Sequence, residues 1–95
     1  MKVITKHVNI ENEEFYLIKN SHEGKAYYGT INYKEVDENG KLKRQLNGFD
    51  MCIADTVGEA LERRETDIKI KKEISRLMSL GINRKEAIMQ AVMSI

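Results

Sequence analysis

The stretch TVGEALERR, residues 56–64, marks the point where the chain changes character. Before it, short runs of alternating apolar and polar residues are separated by Gly, Asn, Asp and Glu, and after it apolar residues recur at helical spacing. Thr56 and Glu59 form the pattern of a capping box, in which the two side chains satisfy free backbone N–H groups at the start of a helix. The sequence therefore predicts an α+β fold in which strands come first and helices follow.

The residues before position 56 predict an antiparallel β-meander of three or four strands. Strand-like text occurs in KVITKHVNI, EFYLIKN and AYYGTINYKEV, and NSHEGK is typical of a turn. Asn39-Gly40 predicts a two-residue type I′ hairpin turn, because both central residues of that turn need a positive φ. Such a turn places Glu35 opposite Arg44 and starts a fourth strand that runs to Ile53.

A regular fourth strand would turn Phe49 away from the face that carries Ile31 and Tyr33. One extra residue at Asn47-Gly48 corrects this, since glycine is preferred in bulges of the G1 type. The inward face is then predicted to consist of Tyr27, Ile31, Tyr33, Leu46, Phe49, Met51 and Ile53. The outward face is predicted to be more polar and to include Tyr28, Thr30, Asn32, Lys34, Lys43 and Gln45.

The residues after position 56 predict a helical hairpin, a long helix and a short C-terminal helix, packed on one face of the sheet. The apolar residues drift around the first helix, so this segment is either one long helix, which we favour, or two helices that break near residues 64–67. Gly81 is typical of the left-handed residue that ends a helix, and Asn83 is typical of the N-cap of the next one.

The chain is short, charge-rich and nearly neutral in total. Its 95 residues suffice for a single domain, 1–95, with a β-rich half at 1–54 and a helical half at 55–95. The net charge is +1, and the one cysteine excludes an internal disulfide. No apolar run approaches the length of a membrane span. These features predict a cytoplasmic protein and argue against a membrane partner.

The sequence contains no pattern that predicts catalysis or a metal site. His7, His22 and Cys52 lack the i,i+4 and C-x-x-C spacings of recognisable metal sites. The glycines form no phosphate-binding loop. We therefore expect that the protein is not an enzyme and that it uses no cofactor, metal or small-molecule substrate.

Basic residues are concentrated in the segment 63–85, which holds eight Lys or Arg and three acidic residues. A positive face binds phosphates, so a nucleic-acid-binding regulator is the alternative function. The candidate contacts on this segment and on the outward sheet face are Lys69, Lys71, Lys72, Arg76, Arg84, Lys85, Tyr28, Lys34 and Lys43. The competing interpretation is that these side chains only keep the surface solvated.

The segment GINRKEAIMQAV, residues 81–92, combines a glycine, an apolar residue, a capping Asn and an amphipathic helix. It resembles the helix-turn-helix portion of ribbon-helix-helix repressors, and it equally resembles the small ubiquitin-associated three-helix domain. Because the two resemblances are incompatible, the segment indicates a helical hairpin and assigns the chain to neither family.

The last helix carries the sharper indication of function. One stripe of the predicted helix consists of Ala87, Ile88, Ala91, Val92 and Ile95. Met89 and Met93 lie about 130–170° around the helix from that stripe. They are either a second interface or a buried pair between the sheet and the long helix. The predicted interface, in a homodimer or a heteromer, comprises Met89, Met93 and Gln90, with Lys85 and Glu86 at its rim.

Size, composition and the absence of recognisable chemistry together favour a small non-catalytic protein-interaction module. Accessory and inhibitor proteins of phages and mobile elements, which act by binding a host protein, are of this type. The expected partner is therefore a protein, either a second copy of the chain or a host protein.

Overall fold

The structure is a computed structural model, and it describes residues 6–94. Its elements are β1 (Lys6–Ile10), β2 (Glu13–His22), β3 (Lys25–Asn32), α1 (Val57–Ser79) and α2 (Arg84–Met93). The three strands form one antiparallel sheet in the order β1-β2-β3. The predicted α+β architecture, a meander followed by a long and a shorter helix, is confirmed.

Two tight turns set the register of the sheet. Glu11 and Asn12, at φ 50° and 65°, connect β1 to β2, and Glu23 and Gly24, at φ 51° and 78°, connect β2 to β3. Two successive positive φ values define the type I′ turn, whose twist matches that of the flanking strands. Three of these four residues carry a side chain in a backbone region that favours glycine. The second turn lies in the predicted NSHEGK segment, whereas the first has no glycine to predict it.

The predicted fourth strand does not form. After β3 the chain makes one turn of 3₁₀ helix at Tyr33–Glu35, and Val36 and Leu42 then form an isolated bridge. Only Gly40 of the predicted Asn39-Gly40 pair has a positive φ, so the turn is not of type I′. The observed register differs by one residue from the predicted one.

Residues 47–53 form a compact turn, which we call the Phe49 turn, so the predicted bulge at Asn47-Gly48 is wrong. The backbone N–H groups of Met51 and Ile53 donate to the carbonyl oxygens of Asn47 and Gly48, each at 3.2 Å. Gly48 has no positive φ, so a Gly48→Val substitution should introduce no backbone strain at this position. Phe49, predicted to point inward, is 93% exposed.

The end of the Phe49 turn runs along the edge of β3. The N–H of Thr30 donates to the carbonyl of Met51 at 2.8 Å, and Tyr28 and Ala54 exchange two backbone hydrogen bonds of 2.8 Å. Cys52 has a φ of 52°. The pairing with β3 is therefore interrupted at residues 52–53, five residues beyond the predicted bulge.

The central strand β2 contributes buried residues on both faces of the sheet. Phe15 and Ile18 are both buried and point to opposite faces, since they lie an odd number of residues apart. On the Ile18 face, a Cβ added to the cross-strand partner Gly29 would lie 3.0 Å from the carbonyl oxygen of Met51. On the Phe15 face, Thr30 is completely buried, which contradicts its predicted outward position.

The predicted helix boundaries are confirmed. The hydroxyl of Thr56 accepts the N–H of Glu59 at 3.2 Å, and α1 continues without a break to Ser79. Gly81 has a φ of 90° and closes α1 with the paired hydrogen bonds of a Schellman motif. The side chain of Asn83 caps α2 by accepting the N–H of Glu86 at 2.9 Å.

Contacts within the chain cluster into two compact units, Met1–Arg64 and Glu65–Ile95. The assignment of residues 1–95 to a single domain stays a prediction. No helix within residues 6–94 is long and apolar enough to cross a membrane. The start of the first predicted strand, before Lys6, and the predicted stripe residue Ile95 lie outside the described residues.

Candidate protein-interaction surfaces

Helix α2 is apolar on two opposite sides, and only one side is buried. Ala87 and Ala91 have no exposed surface. The opposite side carries four exposed apolar residues, which we call the α2 strip: Ile88 (37%), Met89 (53%), Val92 (54%) and Met93 (84%). At 100° per residue these four positions form one continuous strip over two turns. Adjacent exposed apolar side chains of this size often mark an interaction site, so the α2 strip is the kind of surface that another molecule covers.

The α2 strip is wider than the predicted methionine pair. Ile88 and Val92 were predicted to be buried, but the helix is held through its two alanines and leaves both residues exposed. Lys85 extends the strip towards the start of the helix because it lies four residues before Met89. The amide of Gln90 donates to the carboxylate of Glu86 at 3.1 Å, and these two polar side chains lie at one flank of the strip. Their role in an interface stays a prediction.

The candidate nucleic-acid surface on α1 is partly neutralised by its own acidic residues. Its ion pairs are Lys69–Glu65 at 2.9 Å, Lys71–Asp67 at 3.0 Å and Arg76–Glu73. All three pairs have the i,i+3 or i,i+4 spacing of neighbours on a helix face. The hydrogen bond from Arg76 lowers the pKa of Glu73, so this carboxylate stays charged. The high count of basic residues therefore overstates the positive charge that the helix offers to phosphates.

Three predicted basic contacts, Lys72, Arg84 and Lys85, are exposed and make no ion pair within residues 6–94. The remaining candidates lie on separate elements. Tyr28 is in β3, where the ammonium group of Lys19 lies 5.9 Å from its ring centroid. Lys34 is in the 3₁₀ turn, and the backbone N–H of Lys43 donates to the carbonyl of Glu35 at 2.8 Å.

Arg64 was counted with the basic surface but is buried, with 6% of its surface exposed. Its Nε donates to the hydroxyl of Thr30 at 2.6 Å, and its Nη2 donates to the carbonyl oxygens of Thr30 and Asp50 at 2.9 and 2.6 Å. The guanidinium carbon lies 4.9 Å from the ring centroid of Phe15, a cation–π contact. Arg64 thus joins α1, β3 and the Phe49 turn within the first unit.

A signal for the burial of Arg64 was present in the sequence. Position 64 lies four residues after Ala60 and four residues before Ile68, and both of these residues are buried. A charged residue at that spacing belongs to the apolar stripe of the helix rather than to its solvated face.

The Phe49 turn is fixed by reciprocal side-chain hydrogen bonds. The amide oxygen of Asn47 accepts the N–H of Asp50 at 2.8 Å, and the carboxylate of Asp50 accepts the N–H of Asn47 at 3.2 Å. An open cavity of about 570 Å³ lies against this turn, and its lining residues are Asn47, Gly48, Phe49, Cys52, Ile53 and Arg63. Sequence reasoning missed this feature because it placed Phe49 inside the core.

Three aromatic rings stack at the start of the sheet. The ring of Tyr33 lies between those of His7 and Tyr16, with centroid distances of 4.8 and 4.1 Å. Partial burial raises the pKa of Tyr33, and charges on Tyr16 and Glu14 raise it further. The stack ties the 3₁₀ turn to β1 and β2.

Within residues 6–94, no group of three or more His, Cys, Asp or Glu side chains is placed to hold a metal ion. No protein-family model, curated protein or solved structure matches this chain. The surfaces described above are therefore the features of the molecule that point to a function.

Proposed function

We propose that this chain is a small non-catalytic protein-interaction module that binds its partner through the α2 strip. The observation that carries the proposal is the contrast between the two sides of α2, in which the buried side holds only alanines and the exposed side holds Ile88, Met89, Val92 and Met93. Apolar helix faces commonly bind in grooves or against a second helix. A cytoplasmic location fits the single cysteine, which leaves no internal disulfide.

The partner that we propose is a second copy of the chain. A two-fold interface uses the same patch on both copies, so one apolar strip is sufficient to form it. The exposed fractions of the α2 strip add up to about two large apolar side chains per copy, whose burial is worth roughly 3–6 kcal/mol. Two strips then contribute about 6–12 kcal/mol, against an association cost of roughly 4–15 kcal/mol. The expected dimer is weak and depends on protein concentration.

The test is a pair of lysine substitutions in the strip, Met89→Lys with Met93→Lys. The matched control is Ser75→Lys with Ser79→Lys, which adds the same two charges at the same spacing on exposed positions of α1. Sedimentation velocity over the micromolar range should show that the wild type and the control dimerise and that the strip variant is monomeric with unchanged circular dichroism. A monomeric wild type would refute the dimer, and a strip variant that unfolds would show that the methionines are core residues.

The alternative partner is a host protein that binds the same strip, as expected of a phage or mobile-element accessory protein. It is distinguished by a monomeric wild type that captures a host protein from nuclease-treated lysate, with capture lost in the strip variant and kept in the control.

Nucleic-acid binding is a second candidate because Lys72, Arg84 and Lys85 are exposed and make no ion pair within the described residues. Converting all three to Gln should weaken retention on heparin and flatten the dependence of binding on salt. If the wild type shifts neither DNA nor RNA at low salt, this candidate fails, while the proposed protein interaction is unaffected.

A further inference from the structure

We propose that the Phe49 turn is a second, preformed docking site, which binds a protein segment that carries an apolar side chain next to carboxylates. The site lies in the unit Met1–Arg64, and it shares no residue with the α2 strip. It therefore goes beyond the proposed function and stands or fails separately from it.

The side chain of Phe49 is almost entirely exposed. At 93%, it is the most exposed large apolar side chain of the described residues. Large aromatic side chains are among the residues that dominate binding energy at protein interfaces, because each buries a large area with few rotatable bonds. A ring at the tip of a turn is placed to enter a partner or to form one wall of its contact.

The backbone that carries this ring is rigid. Besides the reciprocal bonds of Asn47 and Asp50, the carbonyl of Phe49 accepts the N–H of Cys52 at 3.2 Å. The turn is tied to the rest of the unit by Arg64, which donates to the carbonyl of Asp50, and by the bond from Thr30 to Met51. Binding at a preformed turn loses little conformational entropy, so more of the contact energy contributes to affinity.

The cavity beside the ring has both apolar walls and a cation. Phe49, Cys52 and Ile53 supply its apolar walls, and Arg63 supplies a cation at the same place. One nitrogen of Arg63, Nη1, donates to the carbonyl of Ile53 at 2.5 Å, which holds the guanidinium group against the cavity. Arg63 makes no ion pair with any acidic residue among positions 6–94. A guanidinium group in this position suits a carboxylate of the bound segment.

The segment that leads into the turn is basic. Residues 41–49, KLKRQLNGF, contain three basic residues and no acidic one. Arg44 is neutralised by Glu35 and Asp50, at 3.0 and 3.3 Å, but Lys41 and Lys43 are exposed and make no ion pair within the described residues. Charge complementarity therefore favours an acidic segment over a basic one.

The experiment is a ¹H–¹⁵N NMR titration of the full chain with two peptides of equal apolar content. The acidic probe is acetyl-Asp-Glu-Leu-Phe-Glu-Asp-amide, and the basic probe is acetyl-Lys-Lys-Leu-Phe-Lys-Lys-amide. The acidic peptide should shift the amides of residues 47–53 and of Arg63, and Phe49→Ala should weaken that binding at least tenfold. Arg63→Glu should reverse the preference, so that the basic peptide binds and the acidic one does not. The strip variant with Lys at 89 and 93 should bind like the wild type.

Each other outcome overturns the proposal. Equal binding of both peptides would remove the charge argument, and shifts confined to α2 would place the contact elsewhere. Binding of oligo(dT) or of phosphatidylserine vesicles at residues 47–53, without binding of the acidic peptide, would assign the turn to a different class of partner. No amide shift at millimolar peptide would show that the turn is not a docking site. Because Phe49 and Arg63 are exposed, their variants should keep the wild-type spectrum outside the turn, which verifies the fold in the same experiment.

Discussion

Replacing Arg64 by Met should destabilise the protein far more than the same change one residue earlier. Arg64→Met keeps an unbranched apolar stem but removes the donors to Thr30 and Asp50. Arg63→Met removes an equivalent guanidinium group from an exposed position with one hydrogen bond, to the carbonyl of Ile53. Comparing these two substitutions separates the effect of burial from the effect of exchanging Arg for Met.

The expected magnitude follows from the acceptors that remain. Each hydrogen bond from a charged donor is worth roughly 1.5–3 kcal/mol, and a buried acceptor left without a donor costs about 1–3 kcal/mol. The energies of the three hydrogen bonds are not additive, and the Met side chain recovers some packing. We therefore expect Arg64→Met to lower the free energy of unfolding by about 3–5 kcal/mol. Total stability for 95 residues is of the order of 5–14 kcal/mol. Arg63→Met should cost about 1 kcal/mol or less.

Urea unfolding followed by circular dichroism is the assay, since the chain contains no Trp. Thr30→Val, alone and combined with Arg64→Met, completes a double-mutant cycle, and the coupling should be about 1–2 kcal/mol. If Arg64→Met is too unstable to measure, Arg64→Lys keeps the charge but loses the planar fork and should still be destabilised by about 1–3 kcal/mol. Equal losses for Arg63→Met and Arg64→Met, or a coupling near zero, would refute the assignment of Arg64 as the link between helix, strand and turn.

Three further substitutions test the strands and their turns. Gly29→Ala should lower the free energy of unfolding in urea by about 1–3 kcal/mol, because the added Cβ would lie 3.0 Å from the carbonyl oxygen of Met51. A loss below about 0.5 kcal/mol would show that residues 51–53 move aside freely. Glu23→Asn should raise the thermal midpoint slightly, since Asn tolerates the φ of 51° better than Glu, and a lower midpoint would contradict the type I′ assignment. The raised pKa of Tyr33 means that the folded state keeps this proton where the unfolded state has lost it, so stability should fall as the pH rises above the ordinary pKa of 10.0. Tyr33→Phe should flatten that fall in urea titrations at several alkaline pH values, and an unchanged slope would argue against the shift.

The features that were predictable from sequence depend on residues close to one another in the chain. The caps of the helices use contacts within five residues, so Thr56, Gly81 and Asn83 were sufficient to define them. The order of strands and helices was predictable because the spacing of apolar residues changes from alternating to helical near residue 56. Periodicity separated Met89 and Met93 from the predicted stripe of α2 but left open whether they are exposed or buried. The width of the α2 strip was not predicted either, because it depends on which apolar residues dock the helix.

The predictions that were wrong concern features that depend on competing side chains or on distant segments of the chain. The turn at Asn39-Gly40 has a different register because the carboxylate of Asp37 accepts the N–H groups of Asn39 and Lys41, at 2.8 and 2.9 Å, and so favours a longer loop. Phe49 follows the alternation of a strand, yet Asn47 and Asp50 close a turn around it.

The burial of Thr30 depends on Arg64, which is 34 residues away along the chain. No local pattern contains that contact.

The pairing of residues 51–54 with β3 leaves the sheet with two unequal edges. At the β3 edge, the N–H groups of Tyr28 and Thr30 already donate within the chain, so the middle of this edge is closed to a further strand. Within the described residues, the outer edge of β1 (Lys6–Ile10) is the side at which a further strand can add, and that strand is short and carries Lys6 and His7. Aggregation by strand addition at β3 requires residues 51–54 to detach first. Loss of Arg64, which holds this segment through Asp50, should therefore speed aggregation beyond what the fraction of unfolded chains explains.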